Sequence, residues 1–207
     1  MSEKKSKVMT DEDKEIIAYH EVGHALLAKL LKNCDPLHKV SIIPRGMALG
    51  ITLTLPEKDH LTMKKNQLLD QITMILGGRV AEELIYGKDN ITTGASNDLE
   101  KVSALARKMV TSYGMSEKMG NLTYGKDQEH IFMGRDFGHT RDFSEEFAAD
   151  IDKEVKQIVD KQYDLAKSLL NDNRDMLEHI SKILLEKETL DEKEFEDLMN
   201  EVKSQRA

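Results

Sequence analysis

The chain contains the stretch Tyr19-His20-Glu21-Val22-Gly23-His24, two histidines bracketing a glutamate. On a helix, residues i and i+4 stack on one face, so His20 and His24 can bring two ring nitrogens to one metal ion, with Glu21 one position round from the first. The chemistry open to such a trio is metal-assisted peptide hydrolysis. Zinc supplies a Lewis acid and lowers the pKa of water toward about 7, while the carboxylate takes the proton and passes it to the leaving amine. The plainer reading, two histidines hydrogen-bonded to backbone carbonyls, gives no reason for a glutamate between them.

A catalytic zinc needs a third protein ligand and an open position. A metzincin site requires a third histidine six residues after His24, where this chain has Leu30, and a deformylase-like site requires a cysteine upstream, whereas the single cysteine, Cys34, lies downstream. The remaining candidates are Glu82, Glu83, Asp98, His38, His60, His130 and His139. Asp98 has the best mechanical case, because the first turn of a helix is a stiff place for an oxygen ligand, and Glu82 comes next. An aspartate there can also simply answer the helix dipole.

These residues need elements to hold them. Residues 10–32 have a helical pattern opened by Thr10-Asp11-Glu12-Asp13, a capping-box start, and Ile16, His20, His24, Leu27 and Leu31 recur at three- or four-residue steps, which puts both histidines on the apolar stripe. Pro44-Arg45-Gly46 has turn chemistry, and Leu49, Ile51, Leu53 and Leu55 alternate with Gly50, Thr52 and Thr54, so a small sheet or hairpin is predicted near residues 39–55. A second helix is predicted over residues 62–86, with Gly77-Gly78 marking a close helix crossing or a break. Asn97-Asp98-Leu99-Glu100 has the form of a capping box that opens a third helix and places Asp98 in its first turn. Residues 114–143 carry five glycines and little periodicity, the mark of a long loop. An amphipathic helix over 144–170 comes next, broken by Asn171-Asp172-Asn173, and shorter helices are predicted near 174–186 and 191–202. His179 in these C-terminal helices reads as a surface residue.

Composition narrows the class. Hydrophobic residues make up 39%, charged residues 33% and aromatics 5%, with no tryptophan, so the fold class is mainly α: a helical domain with a small sheet and a C-terminal helical bundle. The net charge of -8 and the lack of a basic stripe argue against a nucleic-acid partner, and the basic residues at 4–7 read as a solvated terminus. One cysteine allows no intrachain disulfide. No apolar run approaches the roughly 20 residues that span a bilayer, so a soluble fragment with no direct membrane insertion is expected.

In order along the chain stand YHEVGHALLA, KVSIIPRG with ALGIT and LPE, LGGRVAEELIYG, TTGASNDL, ARKMVTSYGMSEKMG, FMGRD and NDNRDML with LLEKETL. With these motifs the chain resembles the peptidase domain of the FtsH family, membrane-anchored AAA zinc metalloproteases. The resemblance spans about residues 13–198. It implies one zinc ion held by His20, His24 and Asp98, with Glu21 as catalytic base, and leaves Glu82 and Asn97 as supporting residues around the ligands. It gives the segment Leu49, Gly50, Ile51 and Thr52 a role as an edge that holds extended substrate through main-chain hydrogen bonds. It further implies a homo-hexameric ring fed with unfolded polypeptide by an attached AAA ATPase module, the full-length relative being anchored in a membrane with this domain on the cytoplasmic or equivalent side. The chain has no phosphate loop of the form G-x-x-x-x-G-K-[ST], so ATP is expected only in the full-length protein.

The organisation expected is a terminal segment over 1–9, a zinc-peptidase core over 10–143, and C-terminal helices over 144–207 packing on it. The alternatives are a noncatalytic helical assembly domain with a structural zinc, disfavoured by the single cysteine, and a hydrolase acting on a small molecule, disfavoured by the substrate strand.

Overall fold

The computed structural model describes residues 9–46, 48–56, 61–125 and 144–206. His60, His130, His139, the basic residues at 4–7 and the FMGRD segment lie outside them.

The first helix, α1 (Asp11–Leu30), starts where its capping residues dictate. The Thr10 hydroxyl accepts from the Asp13 N–H and the Asp13 carboxylate accepts from the Thr10 N–H, so both orphan donors are satisfied. The expected apolar stripe understates the burial of this helix. Ile17–Tyr19 and every residue from Glu21 to Ala28 are buried, whereas Ile16 and Leu31 are only partly covered. The reason is position: α1 is the central helix, packed by other elements on all sides.

Its closest neighbour is α2 (Lys65–Tyr86), which passes through Gly77-Gly78 without a break. The two helices touch backbone to backbone. A β-carbon on Gly77 would stand 2.6 Å from the Gly23 carbonyl oxygen, and one on Gly23 would stand 2.4 Å from the Gly77 carbonyl oxygen. Gly23 and Gly77 are therefore spaces for each other's helix, which offsets the roughly 1 kcal/mol that a helical glycine costs relative to alanine. Gly77→Ala gives a test by sign. Helix propensity alone predicts stabilisation, but the crossing predicts a loss of about 2 kcal/mol, a fall in Tm of roughly 5 °C for a chain of this size, readable by thermal denaturation.

Strands β1 (Leu37–Ser41) and β2 (Ile51–Thr54) pair antiparallel, with Val40 opposite Thr52 and a bulge between Leu37 and Lys39. Arg45 and Ala48 exchange main-chain hydrogen bonds in the connecting turn. The sheet has a third strand that the alternation did not reveal: β3 (Thr189–Asp191) pairs with β1 from the far end of the chain, giving the order β2-β1-β3.

Helix α3 (Ser96–Thr111) corrects one expectation. Asn97 and Glu100 form no capping box; the helix begins at Ser96, with Ala95 at the cap and no side-chain cap bond. A 3-10 turn, Thr93–Ala95, runs directly into α3, and buried Ala95 anchors the join. Asp98 still falls in the first turn.

The remaining helices are α4 (Glu145–Asp172), capped by Ser144, α5 (Arg174–Lys187) and α6 (Glu192–Gln205). Asn173 separates α4 from α5, as the polar triplet predicts. Ala18, Val22 and Leu26 of α1, Ile72 and Leu76 of α2, Ile180 and Leu184 of α5, Leu190 of β3 and Phe195 of α6 share one core. The part of the long loop that is described is fastened by a smaller cluster of Val110, Met119, Tyr124 and Ile151.

Candidate metal centre

Two elements deliver the ligand-type groups. His20 and His24 project from α1 and Asp98 from the first turn of α3. His20 Nε2 lies 3.1 Å and His24 Nε2 3.2 Å from Asp98 Oδ2, and the two Nε2 atoms are 3.0 Å apart. His20, His24 and Asp98 form the one cluster of metal-ligand type found among the described residues. Gly78 of α2 makes room for the first imidazole: a β-carbon there would stand 2.4 Å from His20 Nε2.

The opposite ring nitrogens decide what faces inward. His24 Nδ1 is 2.9 Å from the Met74 carbonyl oxygen, which can only accept and so favours a proton on Nδ1 over the longer, 3.3 Å approach of the Gly78 N–H to the same atom. His20 Nδ1 lies 2.8 Å from Glu82 Oε1. Burial works against ionisation of Glu82, but its hydrogen bonds with His20 and Thr92 hold its carboxyl below the usual range, so it too accepts. When both rings are neutral with the proton on Nδ1, their Nε2 lone pairs turn toward Asp98. Three acceptors that face one another require positive charge between them, and this donor set fits a zinc ion.

The same demand acts on protons when no metal is bound. Burial pushes the His20 pKa down, but hydrogen bonds to Asp98 and Glu82, with the nearby charge of Glu21, raise it to about 9. Burial pushes Asp98 up, and its hydrogen bonds to His20 and His24 outweigh that and hold it well below the usual carboxylate range.

Glu82 is nearly fully buried and does two things at once. Its Oε2 accepts from the Thr92 N–H at 2.8 Å, while Arg79, one turn earlier on α2, donates from Nη2 to the Thr92 carbonyl at 2.8 Å. Thr92 is thus held at both its N–H and its C=O, and the segment leading into α3 is moored to the helix that orients His20. Arg79 and Thr92 were not singled out from the sequence. The available signal was Arg79 three residues before Glu82 on one helix, a spacing at which opposite charges meet. The Met74 carbonyl carries no sequence signal.

Glu21 is buried beside β2, with Thr52 Oγ1 2.7 Å from its Oε2 and 2.9 Å from its main-chain oxygen. A β-carbon on Gly50 would stand 2.7 Å from Glu21 Oε1, so the space at Gly50 is filled on this side by the glutamate. Leu49 is exposed and Ile51 half-buried. β2 is the last strand of the sheet, so its outer edge has no strand partner among the described residues.

The other candidates stand elsewhere. Glu83 accepts from Lys167 of α4 at 2.8 Å. His38 is exposed on β1. Asn97 is exposed and makes no hydrogen bond to the cluster among the described residues. His179, half-buried rather than on the open surface, has Nε2 3.5 Å from Glu201 Oε2.

The sequence pattern of Peptidase family M41 matches residues 7–198. The chain belongs to peptidase family M41. Among proteins similar to this M41 chain is ATP-dependent zinc metalloprotease FtsH 1 of Thermoanaerobacter sp. (strain X514), 52% identical over 198 residues, 96% of this chain and 32% of that protein. ATP-dependent zinc metalloprotease FtsH of Acidobacterium capsulatum is 52% identical over 190 residues, 92% of this chain and 29% of that protein. The Myxococcus xanthus protein of the same name is 50% identical over 197 residues, 95% of this chain and 31% of that protein. The M41 chain therefore spans about a third of the length of these curated relatives.

Proposed function

We propose that this chain is the zinc-dependent endopeptidase domain of a longer ATP-driven protease, with His20, His24 and Asp98 as metal ligands and Glu21 as general base. The observation that carries this reading is the convergence of two imidazole Nε2 atoms and a carboxylate oxygen within hydrogen-bond distance of one another, beside a buried glutamate on the same helix as the imidazoles. Zinc held there supplies the Lewis acidity that activates water and polarises the scissile carbonyl. Glu21 takes the proton of the attacking water as the new C–O bond forms, and returns it to the amine nitrogen as the C–N bond breaks. The outer edge of β2, with Leu49 and Gly50 just before it and Ile51 and Thr52 within it, aligns an extended polypeptide through main-chain hydrogen bonds, which makes recognition broad in sequence and selects unfolded chains. Glu82, backed by Arg79 and Thr92, keeps the His20 ring in the tautomer and orientation a ligand needs.

The relatives are ATP-dependent zinc metalloproteases. From that and the family likeness we place this chain beside an AAA ATPase module of the same longer protein, in a six-fold ring of copies, with residues 10–143 as the catalytic body and 144–207 as helices that brace it. No helix among the described residues is long and apolar enough to cross a membrane; the proposal assigns the membrane anchor to another part of the longer protein. The test is cleavage of an unstructured peptide by the purified chain. A chelator is expected to abolish it, one equivalent of zinc to restore it, and ATP to leave it unchanged. Cleavage that survives the chelator, or ATP-dependent digestion of a stably folded protein by this chain, would overturn the reading.

A further inference from the structure

Glu21 is gripped by the strand beside it. The Thr52 hydroxyl lies 2.9 Å from the Glu21 main-chain oxygen and 2.7 Å from Oε2 of the same residue. Both oxygens accept from the one hydroxyl and share its proton, so one group joins the far end of the side chain to its own backbone. Three torsions separate those ends, and a long side chain samples several rotamers unless its tip is held. From the other position on the same face of the chain, two residues away, Gly50 closes on Glu21: a β-carbon there would stand 2.7 Å from Oε1 and 2.8 Å from Cγ. Thr52 is itself set by the core, because its partner in the ladder, Val40, is completely buried.

We infer that Thr52 is a positioning residue for the Glu21 carboxylate, tying the aim of the general base to the placement of β2. The inference rests on the endopeptidase reading and adds a coupling to it. A polypeptide paired with the outer edge of β2 steadies the strand that carries Thr52, so substrate docking and the alignment of the base share one support. The hydroxyl then governs turnover far more than binding, since an error of about 1 Å in aim costs on the order of 100-fold in rate.

Thr52→Val keeps the β-branched shape and removes the donor, while Thr52→Ser keeps the donor. With the zinc-loaded chain and an unstructured fluorogenic peptide, Thr52→Val is expected to lower kcat about tenfold, with KM within about twofold and zinc content unchanged. Thr52→Ser is expected to stay within about threefold of the parent in kcat. In crystal structures of the zinc-loaded variants, the Glu21 carboxylate should occupy more than one rotamer in Thr52→Val and a single one in Thr52→Ser. Parental kcat in Thr52→Val, a loss that falls on KM, an equal loss in Thr52→Ser, or an unmoved single rotamer in Thr52→Val each overturns the proposal. Glu21→Gln measured alongside separates the two levels. An inactive Glu21→Gln with a fully active Thr52→Val ends the Thr52 role alone, whereas an active Glu21→Gln ends the general-base reading on which it stands.

Discussion

Glu21→Gln is expected to keep one zinc per chain and to lose peptide cleavage by about 10²- to 10⁴-fold. The amide is isosteric with the carboxylate and its oxygen can still accept from the Thr52 hydroxyl, so the side chain stays seated between Gly50 and Thr52. What disappears is the site that takes a proton from water. Metal affinity should change little, because the three convergent groups proposed to hold the metal are those of His20, His24 and Asp98. Metal analysis together with single-turnover cleavage reads both halves of the expectation. Retained cleavage would remove the general-base role, and loss of zinc would make Glu21 part of the metal's support.

Asp98→Asn is expected to weaken zinc binding by at least about 100-fold, measured by chelator competition. The substitution preserves shape and removes the negative charge that two imidazoles face at 3.1 and 3.2 Å. Glu82 cannot easily replace it. Its two oxygens already serve His20 Nδ1 and the Thr92 N–H, and releasing them would free the His20 ring and the segment that leads into α3. Full zinc content in Asp98→Asn would transfer the third-ligand role to another group, with Glu82 first in line.

Much of this site is legible in the sequence because its signals are local. The spacing of His20 and His24 is a property of one helix, the Thr10 capping box is four consecutive residues, and Asp98 sits in a first turn whichever residue caps it. The predicted helices agree with the structure to within a few residues for the same reason: periodicity and caps act over one or two turns. The failures share the opposite property. β3 is three residues long and exists because β1 offers it an edge some 150 positions away in the chain. The Asn97 capping box was lost to a 3-10 turn anchored by Ala95, a burial that only packing decides.

Gly23 marks the division most clearly. In the sequence Gly77-Gly78 signals a close helix crossing or a break, and nothing there names Gly23 as its partner. That the two approach each other, backbone to backbone, is a fact of the crossing between α1 and α2.

The sequence alone therefore determined the family and named the candidate metal-binding face and the candidate base, since each depends on residue types at short fixed spacing. Residue spacing left the third carboxylate open between Asp98 and Glu82, and the family resemblance named Asp98; the tertiary structure puts Asp98 against the imidazoles, Glu82 behind His20 and Thr52 against Glu21. Those are distances between segments far apart in the chain, and no local periodicity encodes them.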